Sequence, residues 1–164
     1  MSSGIEQLYG QYIKEFDITV TAKPKLTLDI GVSPSAQKVK WTRRSLSGNR
    51  LNIVMVGRFS DYQKRQDLLV EALAIILKGY RVHLTFIGDG MKKEAIQSRV
   101  NDLGMDECIT FLPFFNKQQE LWQVLLNSDL LVHACDYEGL CKSIIESMAL
   151  GLPVLVSDVT PLNR

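Results

Sequence analysis

The stretch Tyr137–Asp158, YEGLCKSIIESMALGLPVLVSD, decides how this chain folds. It follows the apolar run Leu130–Cys135 and ends in the apolar run Pro153–Val156, and both runs suit buried strands. Gly151 is predicted to end a helix between them, just before a proline. Apolar residues at helical spacing predict that one stripe of this helix is buried, namely Ile144, Ile145, Met148, Ala149 and Leu152. The stretch is therefore predicted to form a turn, a helix and a strand after a preceding strand.

Two carboxylates flank the start of the predicted helix. Glu138 lies in the loop before it, and Glu146 lies about one turn inside it, away from the predicted apolar stripe. The unpaired N–H groups near Cys141–Ser143 are a ready site for an anion. Taken singly, each glutamate is typical of a turn or a solvated helix face. Together with the anion site between them, they favour a site for a nucleoside diphosphate sugar.

The Glu-x7-Glu spacing and the words around it resemble the retaining glycosyltransferases of the GT-B fold. This large family includes glycogen synthases and many bacterial surface-polysaccharide transferases, and the resemblance covers roughly Leu51–Asp158. It implies that Glu138 accepts hydrogen bonds from hydroxyls of the donor sugar and that Glu146 accepts them from the ribose. It further implies that the diphosphate lies against the residues that begin the helix, namely Gly139, Leu140, Cys141, Lys142 and Ser143. Cys141 and Lys142 depart from the family's small or apolar pair, and Lys142 would either add a contact to an anionic group or block the pocket.

The basic loop after the first predicted strand supplies the cations of the expected site. Gly57 ends that strand, and Arg58 and Lys64 follow it in the words GRFSDYQK. An arginine and a lysine at this position could clamp a diphosphate, the first as a bidentate contact and the second as a point charge. The same words resemble the family's Gly-Arg and lysine signature, whose basic pair neutralises the leaving diphosphate. Arg65 is assigned a structural role instead.

Strands and helices alternate from Leu51 onward and predict an α/β fold with a Rossmann-like, doubly wound parallel sheet. By resemblance the strand order is 3-2-1-4-5, and ligands bind where that order reverses. Residues 1–50 are interpreted as an N-terminal segment and linker, and residues 51–164 as the donor-binding domain, the C-terminal half of a GT-B fold. Compared with the family, this domain lacks its last strand and closing helices, and the acceptor-binding domain is absent.

Other motifs give weaker indications of function. The turn Gly88-Asp89-Gly90 lacks the full dinucleotide fingerprint and is expected to border the donor cleft as a structural element. By resemblance, the nucleobase lies against the loop with Phe114 and Phe115, although core packing is the ordinary role of such rings. His83 and His133 lie inside apolar strands and are interpreted as core residues. No His/Cys/Asp cluster has metal-ligand spacing, so neither a metal nor a cofactor beyond the sugar donor is expected.

Composition excludes several classes of function. The 164 residues, 46% of them hydrophobic, suit one globular domain, and a net charge of +1 gives no basic field for nucleic acid or a membrane surface. Three cysteines without a CxxC pair suggest thiols in a reducing cytosol. No apolar run is long enough for a membrane span, and no signal peptide is apparent. A cytoplasmic location is therefore expected, with membrane contact only through parts absent here.

These observations predict the nucleotide-sugar domain of a hexosyltransferase in surface-polysaccharide synthesis, inactive by itself without an acceptor domain. A non-catalytic nucleotide-binding or interaction module of the same fold is the alternative. A nucleotide-sugar epimerase shares the fold but needs acid and base residues that the sequence does not offer. A dehydrogenase would need the missing glycine fingerprint.

Overall fold

The computed structural model describes residues 50–60, 63–159 and 162. The predicted N-terminal segment and linker lie outside these ranges, apart from Arg50. A single-turn 3-10 helix, Asp106–Cys108, precedes the third strand. The strands and helices alternate in the order β1 Leu51–Val56, α1 Gln66–Ile76, β2 Val82–Ile87, α2 Lys93–Asp102, β3 Ile109–Leu112, α3 Gln118–Leu126, β4 Leu130–His133, α4 Lys142–Ala149 and β5 Val154–Val156.

The five strands form one parallel sheet in the order β3-β2-β1-β4-β5. This confirms the predicted fold class and strand order. Because β1 and β4 are neighbours in the sheet, the order reverses between them. The loop after β1 leads to α1 on one face of the sheet, and the loop after β4 leads to α4 on the other face. Because these two loops diverge, a crevice is expected between them.

Helices cover both faces of the sheet, so alternate residues of one strand enter two different cores. Met55 of β1 packs with Phe86 and Leu73 in the core beneath α1 and α2. Val54, its neighbour, packs with Trp122 and other residues of α3 and α4 on the opposite face. Strands that are covered on both faces are largely apolar, which explains runs such as Ile53–Val56 in the sequence.

The predicted buried stripe of α4 is wrong in part. Met148 is 60% exposed and Ala149 is also exposed, whereas Ile144 is buried as predicted. Three polar residues take up the rest of the buried face, because Ser147 is fully buried, Glu146 is only 5% exposed and Ser143 is 8% exposed. Periodicity assigns the buried face from apolar residues alone, and it fails here because one side of the helix lines a polar crevice.

Candidate active site

A short backbone bridge brings the basic loop to the end of β4. Lys64 pairs with Cys135 in an isolated antiparallel bridge, and the Arg65 N–H donates to the Ala134 carbonyl at 3.0 Å. The segment before α1 is therefore fastened to the segment that follows β4. This pairing places the Lys64 side chain beside Glu138, although 74 residues separate them in the sequence.

The Lys64 ammonium contacts both the Glu138 carboxylate and the His133 imidazole. Its Nζ donates to Oε2 of Glu138 and lies 3.0 Å from Nε2 of His133. The Lys64 and Glu138 side chains are only 14% and 9% exposed. Burial opposes charge on Glu138, but the hydrogen bond from Lys64, the contact with His133 and the charge of Lys64 outweigh it and lower the pKa of that carboxyl. Glu138 is therefore a carboxylate at neutral pH.

The interpretation of His133 as a core residue was incomplete. The side chain is buried, at 1% exposure, yet its Nε2 lies 2.8 Å from Oε2 of Glu138 and its Nδ1 lies 3.5 Å from Sγ of Cys141. Burial is the main reason that the pKa of His133 is lowered, and the positive charge of Lys64 adds to the effect. The sequence offered one signal for this site role, which was the position of His133 at the end of β4, five residues before Glu138.

The fold also assembles a cluster that the sequence spacing did not reveal. A ring nitrogen of His133, a carboxylate oxygen of Glu138 and Sγ of Cys141 all lie within 4.8 Å of one another. Spacing missed it because the β4–α4 loop folds back over the strand end. The Lys64 ammonium already contacts two of these three residues, so the chain supplies a cation of its own at this point. Independence from metal stays a prediction.

Glu146 is the second buried acid of the site. Its Oε1 accepts a hydrogen bond at 2.5 Å from Nε2 of Gln118, the first residue of α3. Burial raises the pKa of Glu146, while the hydrogen bond from Gln118 and the charge of Lys142 oppose that rise. Gln118 was not predicted as a site residue, because a glutamine at a helix start carries no distinctive signal in one sequence.

One cleft of about 690 Å³ collects these groups beyond the carboxyl ends of β1 and β4. Its walls include every predicted site residue except Gly139, namely Gly57, Arg58, Lys64, Phe114, Phe115, Glu138, Leu140, Cys141, Lys142, Ser143 and Glu146. Arg58 and Lys142 line the cleft as exposed residues. Helix α4 begins at this cleft, and its N-cap residue, Cys141, makes no side-chain capping hydrogen bond.

The Gly88-Asp89-Gly90 turn packs against the β1–α1 loop and is not among the residues that line the cleft. Both glycines adopt positive φ, and a Cβ at either position would collide with the backbone of the β1–α1 loop. The Asp89 carboxylate accepts a hydrogen bond at 2.8 Å from the Phe114 N–H and another at 2.8 Å from Lys93. Phe114 is 63% exposed on the cleft wall, whereas Phe115 packs against a core, which is the ordinary role of such a ring.

The loop that carries Arg58 is held by buried and charged neighbours. Nε2 of Gln66, a residue that is 3% exposed, donates to the Arg58 carbonyl at 3.0 Å. Arg65 forms ion pairs with Asp67 at 2.8 Å and with Asp136 at 3.1 Å. Arg65 thus joins α1 to the segment after β4, which agrees with the structural role assigned to it.

A family model described as glycosyl transferases group 1 matches residues 39–164. The chain belongs to this glycosyltransferase family. It has the Rossmann-like fold of the GT-B glycosyltransferases, as the solved structures below show. The lipopolysaccharide outer core galactosyltransferase WaaB, solved in its apo form, superposes with a TM-score of 0.64 at 25% identity, over 76% of this chain and 35% of WaaB.

Two further comparisons bear on the site. Anabaena Alr3699/HepE, solved in complex with UDP-glucose, has a TM-score of 0.59 and 25% identity over 80% of this chain and 37% of that protein. The lipopolysaccharide 1,6-galactosyltransferase of Salmonella typhimurium is 27% identical over 164 residues, which cover 96% of this chain and 42% of that enzyme. The chain thus spans less than half the length of these relatives. Among the described residues, no helix is long and apolar enough to cross a bilayer.

Proposed function

We propose that the cleft binds a nucleoside diphosphate sugar as donor. One observation carries the proposal, which is that three basic residues, two acids and the start of α4 line a single cleft. Such a donor presents a diphosphate between two polyhydroxylated groups. The basic residues and the helix start would face the diphosphate, and the acids would face the hydroxyls. Membership of the glycosyltransferase family and the similarity to a protein solved with UDP-glucose support this reading.

The diphosphate would lie at the start of α4, facing Arg58 and Lys64. Cleavage of the sugar–phosphate bond places negative charge on the departing diphosphate, and fixed cations and helix N–H groups stabilise that charge as it develops. In the free protein Lys64 is engaged by Glu138. The donor would separate them, because the diphosphate attracts Lys64 while hydroxyls of the sugar donate to Glu138.

The nucleoside would lie on the Glu146 side of the cleft. The buried carboxylate would accept hydrogen bonds from the ribose hydroxyls, in place of or beside the one from Gln118. The exposed ring of Phe114 offers an apolar surface on which a base could stack.

The proposal for the whole protein is broader. By the family resemblance, it is a retaining, metal-independent hexosyltransferase that uses a cytoplasmic donor to extend a glycan or a lipid-linked acceptor in surface-polysaccharide synthesis. Relatives named as a lipopolysaccharide galactosyltransferase and an amylovoran biosynthesis glycosyltransferase support that setting. Within this reading, Glu138, Arg58 and Lys64 are the residues that meet the reacting part of the donor.

A thermal-shift series with UDP, GDP, ADP and their common sugars tests donor binding by the full chain. A ligand at about 100 times its Kd should stabilise the protein by roughly 2.7 kcal/mol. One base should be preferred, and Glu146→Ala should abolish the shift. Glu94→Ala, an exposed residue in the first turn of α2, is the matched control and should keep it.

Two outcomes would contradict parts of the proposal. A chain that no nucleotide stabilises would favour the non-catalytic module. Equal stabilisation of the Glu146→Ala variant would remove the role of that carboxylate while leaving donor binding intact. If the chain binds the donor, adding a separate acceptor-binding polypeptide should restore sugar transfer, which a non-catalytic module would not show.

A further inference from the structure

His133 lies at the centre of the proposed donor site but has no role in the binding scheme above. Its ring faces Lys64 from the segment before α1, Glu138 from the β4–α4 loop, and Cys141 from the start of α4. The thiol of Cys135 also lies in the field of Lys64 and Glu138. A histidine that is 1% exposed and meets both members of an ion pair through one nitrogen is unusual enough to need an explanation.

The contacts at Nε2 compete with each other. This nitrogen lies 3.0 Å from the Lys64 ammonium, which can only donate, and 2.8 Å from the Glu138 carboxylate, which can only accept. With a lone pair on Nε2, the ring accepts from Lys64 and its Nδ1–H points to Cys141 Sγ at 3.5 Å. With a proton on Nε2, the ring donates to Glu138 and must release Lys64. One ring cannot serve both partners at once.

The contact with Lys64 is favoured while Lys64 stays beside the ring, because an ammonium 3.0 Å from Nε2 can bond that nitrogen only through a lone pair. Glu138 depends less on the ring, since its Oε2 already accepts from Lys64 and its Oε1 accepts from the Gly139 N–H. Burial first and the charge of Lys64 second lower the pKa of His133, so the imidazole is neutral at pH 7 and carries no second proton that would displace Lys64. Donor binding would reverse this balance, because the diphosphate neutralises Lys64 and draws it off while Glu138 stays beside the ring. A proton is then favoured at Nε2.

We infer that His133 is a positioning residue that changes partner when the donor binds. In the free protein Nε2 accepts a hydrogen bond from Lys64, and in the complex Nε2, having taken one proton from solvent, donates to Glu138. Nδ1 keeps its proton throughout. His133 thereby holds Glu138 in place after Lys64 turns to the diphosphate. This inference rests on the proposed function, since it concerns the same site and the same ligand.

Proton uptake on binding is the direct test. The full chain is titrated by calorimetry with whichever of UDP, GDP or ADP gives the largest thermal shift, at pH 7 in buffers of different ionisation enthalpy. The wild-type chain should take up a proton on binding. His133→Gln, which can contact both partners but cannot titrate, should show none beyond that of the nucleotide itself. His83→Gln is the matched control, because His83 lies on β2 and bonds Thr110, away from the cleft, and it should behave as wild type.

The pH dependence gives a second measure. Relative to His133→Gln, wild-type affinity should rise as pH falls through the range between the free and bound pKa values, by at most about tenfold per pH unit for one proton. Equal proton uptake by wild type and His133→Gln, or an equal pH dependence, would overturn the inference while leaving nucleotide binding intact. If no nucleotide binds wild type, the proposed function and this inference fail together.

Nitrogen NMR of the wild-type imidazole keeps the test valid if His133→Gln does not fold. The free protein should show a neutral ring protonated at Nδ1, and the complex should show an imidazolium with both nitrogens protonated. A ring that keeps the same state in both would overturn the inference.

Discussion

Replacing Lys64 by methionine tests the ion pair on which the proposed site depends. Methionine keeps most of the length of the side chain but removes the ammonium that contacts Glu138 and His133. The Glu138 side chain is 9% exposed, so its carboxylate would lose its cationic partner in a poorly hydrated position. Breaking such a pair from one side leaves an uncompensated charge and destabilises the folded state.

Proton uptake at either of two residues could limit the loss of free energy of unfolding. Glu138 could take up a proton, which for a carboxyl of ordinary pKa costs about 3.7 kcal/mol at pH 7. Alternatively, His133 could take up a proton and pair with Glu138, which for an ordinary histidine costs about 0.7 kcal/mol, with its burial adding to that cost. We therefore expect Lys64→Met to lower the free energy of unfolding by about 2 kcal/mol at pH 7.

Urea unfolding of a double-mutant cycle isolates the pair. The set consists of wild type, Lys64→Met, Glu138→Gln and the double variant, and Lys78→Met serves as an exposed control after α1. The double variant should lose less than the sum of the single variants, with a coupling of about 2 kcal/mol. Because the pKa of Glu138 is lowered by folding, this coupling should be complete above pH ~4.3 and should vanish as pH falls through the folded pKa.

Two results would refute this reasoning. A coupling below about 0.5 kcal/mol would mean that the pair is hydrated enough to contribute nothing. An unchanged nucleotide-induced thermal shift in Lys64→Met would show that the ammonium does not meet the diphosphate, whatever its contribution to stability.

Three further substitutions test other parts of the cleft. Glu146→Gln should raise the free energy of unfolding at pH 7 by roughly 1 kcal/mol, because burial raises the pKa of this acid and its charge opposes folding. The nucleotide-induced thermal shift should be lost. A variant that is destabilised in urea unfolding would contradict this expectation. Arg58→Ala should change stability by less than about 0.5 kcal/mol, since the residue is exposed, but calorimetry should show affinity for the nucleotide weakened by about tenfold or more; unchanged affinity would remove Arg58 from the site. Asp89→Asn should weaken the hydrogen bond from the Phe114 N–H, so that hydrogen exchange of that amide is faster, with no change at amides of β4.

Sequence patterns predicted the strands because parallel strands that are covered on both faces are largely apolar, as in Ile53–Val56, and the family resemblance supplied their order. Pattern and resemblance together identified eleven of the residues on the walls of the cleft and missed six others, among them Gln118 and His133. Periodicity failed where one helix faces two environments. Helix α4 turns one side to the core and another to the cleft, so Glu146 is buried although it is charged, and Met148 is exposed although it is apolar.

The remaining gaps concern residues whose role depends on a partner far away in the chain. His133 is distinguished from a core histidine by its contacts with Glu138, Cys141 and Lys64. Lys64 is 69 residues away in the sequence, and the antiparallel bridge brings it to the ring. Gln118 likewise becomes a site residue only through Glu146, 28 residues later. Local periodicity contains no information about such pairs.

The antiparallel bridge between the segments around Lys64 and Cys135 also means that two parts of the cleft are held in different ways. It fastens the charged centre, formed by Lys64, His133 and Glu138, to the ends of β1 and β4, which are interior strands of the sheet. The Phe114 loop follows the edge strand β3 and is held to the neighbouring turn by Asp89. Under the proposed function, substitutions in this loop would change the preference for a base while the charged centre keeps its geometry.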